Sequence, residues 1–338
     1  MDLKTLTELA GVSGNEQAIR QAIAEAARPL CDRVGLDAMG NVKAFIKGTD
    51  PENPMHAVLA AHMDEVGFMI TSATADGVLR FRCAGSIDPR VTVSKRVLVG
   101  DQKVPGVIGA MAIHLQTPED CSRVLGFDNL YIDIGAKSKE EALESCPQGS
   151  YAVFDTPYRE FGDGFICAKA LDDRVGCLTL LEVLKDRYPC DVTCLFTSEE
   201  EVGCRGALGG AFALDADFAI VLEGTTCNDL GDVPDTQKVC RTGEGVAVSF
   251  MDRSSMAHVP LYKRMLQLAQ AEGIPHQIKR ASAGGNDAGA LQRKTCAVKT
   301  VVLSVPCRYI HSPSSVVKYT DILAQQSLVK AFLNNPRL

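Results

Sequence analysis

Apolar residues recur along this chain in two rhythms, and the alternation between them predicts its layers. Ile19, Ala22, Ile23 and Ala26 fall three or four positions apart, the stripe of a helix that Pro29 ends. Ser13-Gly-Asn-Glu16, just before it, has the spacing of a capping box, in which hydroxyl and carboxylate pair with free backbone N–H groups. From Pro29 to His62 the pattern turns strand-like, with Gly40-Asn41 as a turn. Short strand candidates then crowd together: Phe68-Met-Ile-Thr-Ser-Ala, Val78-Leu-Arg-Phe-Arg82, Val91-Thr-Val, Arg96-Val-Leu-Val99, Val104-Pro-Gly-Val-Ile108 and Tyr131-Ile-Asp-Ile134, interrupted by a helical stretch at residues 137–143. After about Tyr158 strands alternate with longer helical patterns. The order predicts an α/β fold, a mixed sheet flanked by helices, with an inserted small β-barrel-like domain. Residues 1–66 and 156–338 are expected to form one domain and residues 67–155 the insert, because the chemistry-bearing residues on either side must meet.

Those residues stand where apolar runs stop. His56-Ala-Val-Leu-Ala-Ala61 ends on His62, with Asp64 two positions on, so both share one face of an extended segment. The pair reads as a metal ligand with its orienting partner, or as a buried histidine held by a carboxylate. Asp172 lies where a helix begins, since Cys177, Leu181, Leu184 and Tyr188 follow at helical spacing; alone it reads as an N-cap. Asp191-Val-Thr-Cys-Leu-Phe-Thr197 runs directly into Ser198-Glu-Glu-Glu201, and Asp217-Phe-Ala-Ile-Val-Leu222 ends on Glu223. A charge run is usually a solvated surface, but surface runs seldom begin where a buried strand stops. Thr300-Val-Val-Leu-Ser-Val305 leads to His311, kept extended by Pro313. Two imidazoles, a surplus of carboxylates and no cysteine suit Zn²⁺, Co²⁺ or Mn²⁺, and are too many for one tetrahedral ion and about right for two.

Composition removes other classes. With 338 residues, 46% of them hydrophobic, the chain can bury a large core. A net charge of −7 without a basic run argues against nucleic acid or anionic membrane as partner. The amino-terminal segment lacks the pattern of a secretion signal and no apolar stretch approaches a membrane span, so a cytoplasmic location is expected. Thirteen cysteines, scattered without a C-x-x-C pair, fit neither a zinc ribbon nor a disulfide framework. They read as small buried hydrophobes in a reducing compartment, although Cys204, beside the acidic run, is expected to be open to oxidation.

Taken together, the motifs resemble the tetrahedral aminopeptidase family of dinuclear metallopeptidases, which includes glutamyl and deblocking aminopeptidases. The likeness runs through Gly11-Val-Ser-Gly-Asn-Glu16, Ala61-His-Met-Asp-Glu-Val-Gly67, Gly106-Val-Ile-Gly-Ala, Tyr131-Ile-Asp-Ile-Gly-Ala136, Lys169-Ala-Leu-Asp-Asp-Arg174, Glu200-Glu-Val-Gly-Cys-Arg-Gly-Ala207, Gly284-Gly-Asn-Asp-Ala-Gly289 and Arg308-Tyr-Ile-His-Ser-Pro313. The resemblance implies a zinc-exopeptidase fold and release of amino-terminal residues from peptides by a water activated between two divalent ions, zinc or cobalt first and manganese next. It makes Asp172 the bridge, His62 and Glu223 the other ligands of one ion, Glu201 and His311 those of the second, Glu200 the general base and Asp64 the residue that orients His62. Asp287 and Gly285 are expected at the substrate pocket. The insert is expected to mediate dimers that build a dodecamer, with His114 near the contact. The chain departs from the family in having Glu223 where Asp is common and Glu199 where Gln is common, the latter expected to raise the pKa of Glu200. His56, His258 and His276 have no such neighbours and read as surface or packing residues. Two other classes compete: a glycoside hydrolase using paired acids such as Glu200 and Glu223, which would have no use for the two histidines, and a non-catalytic metal-dependent assembly protein, which would have no use for Glu200.

Overall fold

Alternate side chains of one strand enter two different cores, and this sets the layer order. In the strand His56–His62, Ala57, Leu59 and Ala61 pack with the helices Leu3–Glu8, Gln17–Ala27, Leu171–Val183 and Tyr319–Asn334. Val58 and Ala60 point the other way, against Ala211, Ala288 and Leu291. A strand buried on both faces must be apolar at every position, which is why 56–62 reads as a continuous run. Full burial of a side chain such as Leu59 contributes about 1.5–3 kcal/mol.

The chain is described by a computed structural model over residues 1–212, 214–280, 284–293 and 297–337. Its large mixed sheet runs in the order Arg33–Leu36, Val42–Ile46, Asp191–Thr197, His56–His62, Phe218–Thr226, Lys299–Arg308, Ser315–Lys318, Phe165–Ala168 and Arg159–Phe161. Val246–Ser249 pairs antiparallel with Lys299–Arg308 and carries His276–Lys279 beside it. The four central strands are mutually parallel, so their carboxyl ends emerge at one edge, the usual ligand side of an α/β sheet.

Six further strands close on themselves in the order Gly67–Ala73, Leu79–Ala84, Tyr131–Asp133, Val104–Gly109, Arg96–Val99 and Tyr151–Phe154. The barrel has its own core, in which Phe68 meets Phe81 and Phe154 edge-on with ring centroids 4.9 and 5.2 Å apart. Two expectations change here. Val91-Thr-Val is no strand; Pro89 opens a 3₁₀ turn at Pro89–Val91, capped by Asp88. Closure is supplied instead by Tyr151–Phe154, whose Ala152 pairs with both Phe68 and Val99, leaving the small barrel without a free edge. The capping box also fails. The helix begins at Gln17 with no side-chain cap, because Ser13 Oγ donates to Asp64 and Glu16 accepts from the N–H groups of Gly14 and Glu199.

One buried charge cluster joins the amino-terminal segment to the sheet. Glu65 accepts Lys169 Nζ at 2.7 and 2.8 Å, Arg174 at 3.3 Å and the N–H of Gly11 at 3.0 Å. Lys169 and Arg174 also donate to the Leu9 carbonyl, and Arg174 to that of Leu6. Removing one partner of such a cluster strands the others, so Glu65→Ala should cost about 3–5 kcal/mol in denaturant unfolding; a loss below about 1 kcal/mol would show that solvent reaches the site.

Candidate metal centre

His62 ends its strand directly beside Thr197, the last residue of the neighbouring strand, so the turn that begins at Ser198 starts next to the imidazole. Glu223 lies near the carboxyl end of Phe218–Thr226, and His311 follows Lys299–Arg308. Asp172 stands at the head of Leu171–Val183, where it and Asp173 leave helical geometry. The N-cap role proves to be that of Asp173: its Oδ1 accepts the N–H of Gly176 at 3.0 Å and its Oδ2 that of His62 at 3.2 Å. Asp172 is thereby left free of the helix, and its Oδ1 has no hydrogen-bond partner. The adjacent second aspartate was the sequence signal for this division of labour.

Around Asp172 the five expected ligands converge. Its Oδ1 is 3.6 Å from His62 Nε2 and its Oδ2 3.6 Å from His311 Nε2. Glu223 Oε2 is 3.8 Å from His62 Nε2, and Glu201 Oε2 is 3.2 Å from His311 Nε2. Two groups thus share one carboxylate, one oxygen facing each. Ligand atoms about 2.0–2.2 Å from a common tetrahedral ion lie roughly 3.3–3.6 Å apart, and Asp172 Oδ1 and Glu223 Oε1 are buried without partners, so the donors fit divalent cations. Asp173 also lies within 4.8 Å of His62 and Glu223, but both of its oxygens are taken by backbone N–H groups, which favours Asp172 as the shared ligand. Glu223, one methylene longer than aspartate, reaches the site.

Asp64 assembles the set. Fully buried, it accepts Ser13 Oγ at 2.6 Å and the N–H groups of Glu200 and Glu201 at 3.0 and 3.1 Å. It reaches His62 mainly through its main chain: Nδ1 is 3.1 Å from the Asp64 carbonyl and 3.4 Å from the carboxylate. A proton on Nδ1 leaves the Nε2 lone pair facing Asp172 and Glu223. Ala170, Glu199 and Tyr309, which flank the same groups, lie in the left-handed region, and so does His311 itself, which is therefore not extended as expected from Pro313; such strain costs on the order of 1–3 kcal/mol each and gathers at functional sites.

Without cations the two imidazoles are drawn toward their protonated form. Burial works against the charged imidazoles, but Asp172 and the neighbouring carboxylates prevail, raising His62 well above its ordinary value and His311 to about 9. Burial, with the charges of Asp287, Glu201 and Asp64, lifts Glu200 to about 8. Glu199, expected to contribute, is not among the main causes, and its carboxylate pairs with Arg205 at 3.1 Å. Burial, with the charges of Asp287 and Glu200, pushes the Cys204 thiol upward. Asp287 is fully buried at the head of Asp287–Gln292 and accepts from Thr197 at 2.5 Å, while the exposed Gly285 lies against Ser254. His56 bonds Asp215 and Thr193, His276 bonds Ile274, and His258 precedes the helix Val259–Ala271, all outside the centre. A narrow cleft lined by Val66, Phe154, Ala170, Asp172, Glu201, His311 and Ser312 opens between sheet and barrel.

Residues 40–328 match the sequence profile of the M42 glutamyl aminopeptidase family. The chain belongs to that family. It is 29% identical over 342 residues to the lysyl aminopeptidase of Pyrococcus furiosus, covering 98% of this chain and 95% of that one. The aminopeptidase APDkam598 of Desulfurococcus kamchatkensis superposes with a TM-score of 0.94 at 32% identity, over 98% of this chain and 93% of the other. The TET1 peptidase of Pyrococcus horikoshii superposes at 0.87 with 34% identity, over 98% of each chain. The family's chemistry is metal-dependent peptide hydrolysis, and the glycoside hydrolase reading is not favoured.

Metal ligation requires neutral imidazoles. Loading this M42 chain with divalent ions at pH 7 should therefore expel protons from His62 and His311, and ion retention should weaken as pH falls. Calorimetry in buffers of different ionisation heat checks this; zero net proton release would contradict the assignment.

Proposed function

We propose that the chain is a dinuclear metalloaminopeptidase that removes residues from the free amino ends of peptides. The observation carrying this reading is the single carboxylate of Asp172 set between two His-and-Glu groups, His62 with Glu223 and His311 with Glu201. Two divalent ions held there, zinc or cobalt first and manganese next, would polarise the scissile carbonyl and acidify the attacking water. Glu200 takes the proton of that water and returns it to the departing amine. A cation pair beside Glu200 favours its charged form, which a base needs. Glu223 stands where a free α-amine would be received, which accounts for attack at amino ends only. Gly285 and Asp287 are assigned to the substrate pocket beside Glu200.

Residues 1–66 and 156–338 act in this reading as the catalytic unit and 67–155 as the unit of self-association. Exposed apolar side chains support this: Met111, Ile113, Leu115 and Val124 lie with His114 in the connection between two barrel strands. The Pyrococcus horikoshii TET1 relative is described as assembling into a tetrahedron or a large octahedral shell, and a dodecamer built from dimers is the corresponding assembly here. Cytoplasmic residence fits the free state of the described cysteines and the lack, among described residues, of a helix long and apolar enough to cross a membrane.

Glu200→Gln should retain both ions and lose hydrolysis of an aminoacyl p-nitroanilide by roughly 10² to 10⁴; near wild-type turnover in the metallated variant would remove Glu200 from the base role. Chelation should abolish wild-type activity, with recovery on adding Co²⁺ or Zn²⁺. Ile113→Glu combined with Leu115→Glu should give a smaller particle by light scattering, and a wild-type chain that runs as an active monomer would end the assembly assignment.

A further inference from the structure

Glu200 belongs to a second cluster that peptide hydrolysis does not explain. Cys204 Sγ lies 3.5 Å from Glu200 Oε1, and ligand atoms of Glu200, Cys204 and Asp287 all stand within 4.8 Å of one another. Asp287 is fully buried; its Oδ2 is occupied by the Thr197 hydroxyl, but its Oδ1 has no hydrogen-bond partner. A buried carboxylate oxygen left without a donor is costly, and a cation would satisfy it. The spacing suits one. Oxygen and sulfur ligands about 2.0 and 2.3 Å from a tetrahedral ion stand roughly 3.5 Å apart, which is the separation of Glu200 Oε1 and Cys204 Sγ.

A thiolate with two carboxylates favours zinc or cadmium over manganese or magnesium. We propose that Glu200, Cys204 and Asp287 form an accessory site for a borderline or soft divalent ion, zinc in first place, and that filling it silences the enzyme. Binding replaces the Cys204 S–H proton, which leaves to solvent. It also commits the Glu200 oxygen to the ion, so that oxygen no longer accepts a proton from water. The inhibitory half rests on the reading of Glu200 as base; the site itself does not. The five residues around Asp172 include no sulfur, so a sulfur-to-metal signal separates the two centres.

The test begins with protein carrying two zinc ions per chain, titrated with Cd²⁺. Metal content after gel filtration, ultraviolet sulfur-to-cadmium charge-transfer absorption and p-nitroanilide hydrolysis are followed in parallel in wild type, Cys204→Ala and Cys204→Ser. Wild type should take a third ion per chain, gain the absorption band and fall in activity toward the roughly 10²- to 10⁴-fold loss typical of a missing base. Both variants should start at wild-type activity, hold two ions, lack the band and resist cadmium. Equal third-ion uptake and equal inhibition in all three proteins, or no third ion in wild type, would overturn the proposal. Should wild type hydrolyse nothing before cadmium is added, the peptidase reading fails, while the Cys204-dependent band still decides the site.

Discussion

Three separate segments of this chain meet on one buried carboxylate. Asp64 binds the hydroxyl of Ser13 and the N–H groups of Glu200 and Glu201, and with its own carbonyl it holds the ring of His62. Burial alone would raise its carboxyl, but His62, Ser13 and the Glu200 N–H offset this and hold it below its ordinary value. An acceptor so fully supplied stays ionised in a dry place and fixes its donors by charge-assisted bonds. The candidate base and one candidate ligand are therefore placed by backbone, with their side chains left free for chemistry.

The sheet and the barrel make that arrangement possible in different ways. Parallel strands deliver His62, the turn after Thr197 and Glu223 to one edge in register. The barrel leaves the chain just after Glu65 and returns by Phe154, so Val66 and Phe154 wall the cleft beside Asp172. Its aromatic core is separate from that of the sheet. The Glu65–Lys169–Arg174 cluster then ties the barrel's point of departure to the loop that carries Asp172.

Much of the fold was legible because buried parallel strands and barrel strands write different patterns: continuous apolar runs in 56–62 and 218–222, short separated ones in 67–134. Misreadings fell where a short motif had two uses. Ser13 and Glu16 have capping-box spacing, yet Asp64 and the Glu199 N–H offer better partners than the helix's own first turn. Val91-Thr-Val has strand composition, but Pro89 and the Asp88 cap commit it to a turn.

The sequence by itself determined the layers, the residue types at the strand ends and, through the ordered motifs, the family. It offered His62, Asp172, Glu201, Glu223 and His311 as candidates, because an apolar run that stops on a charge leaves a trace, and it passed over Asp173, which stands beside His62 and Glu223. Only the tertiary structure decided which of two adjacent aspartates caps the helix and which is free, that Arg205 neutralises Glu199, and that Asp287 and Cys204 stand together against Glu200. The bond between Asp173 and His62 and the meeting of Asp287 with Glu200 join residues dozens of positions apart, and the nearer pairs form only where packing and competition for buried donors select them, a choice no local pattern records.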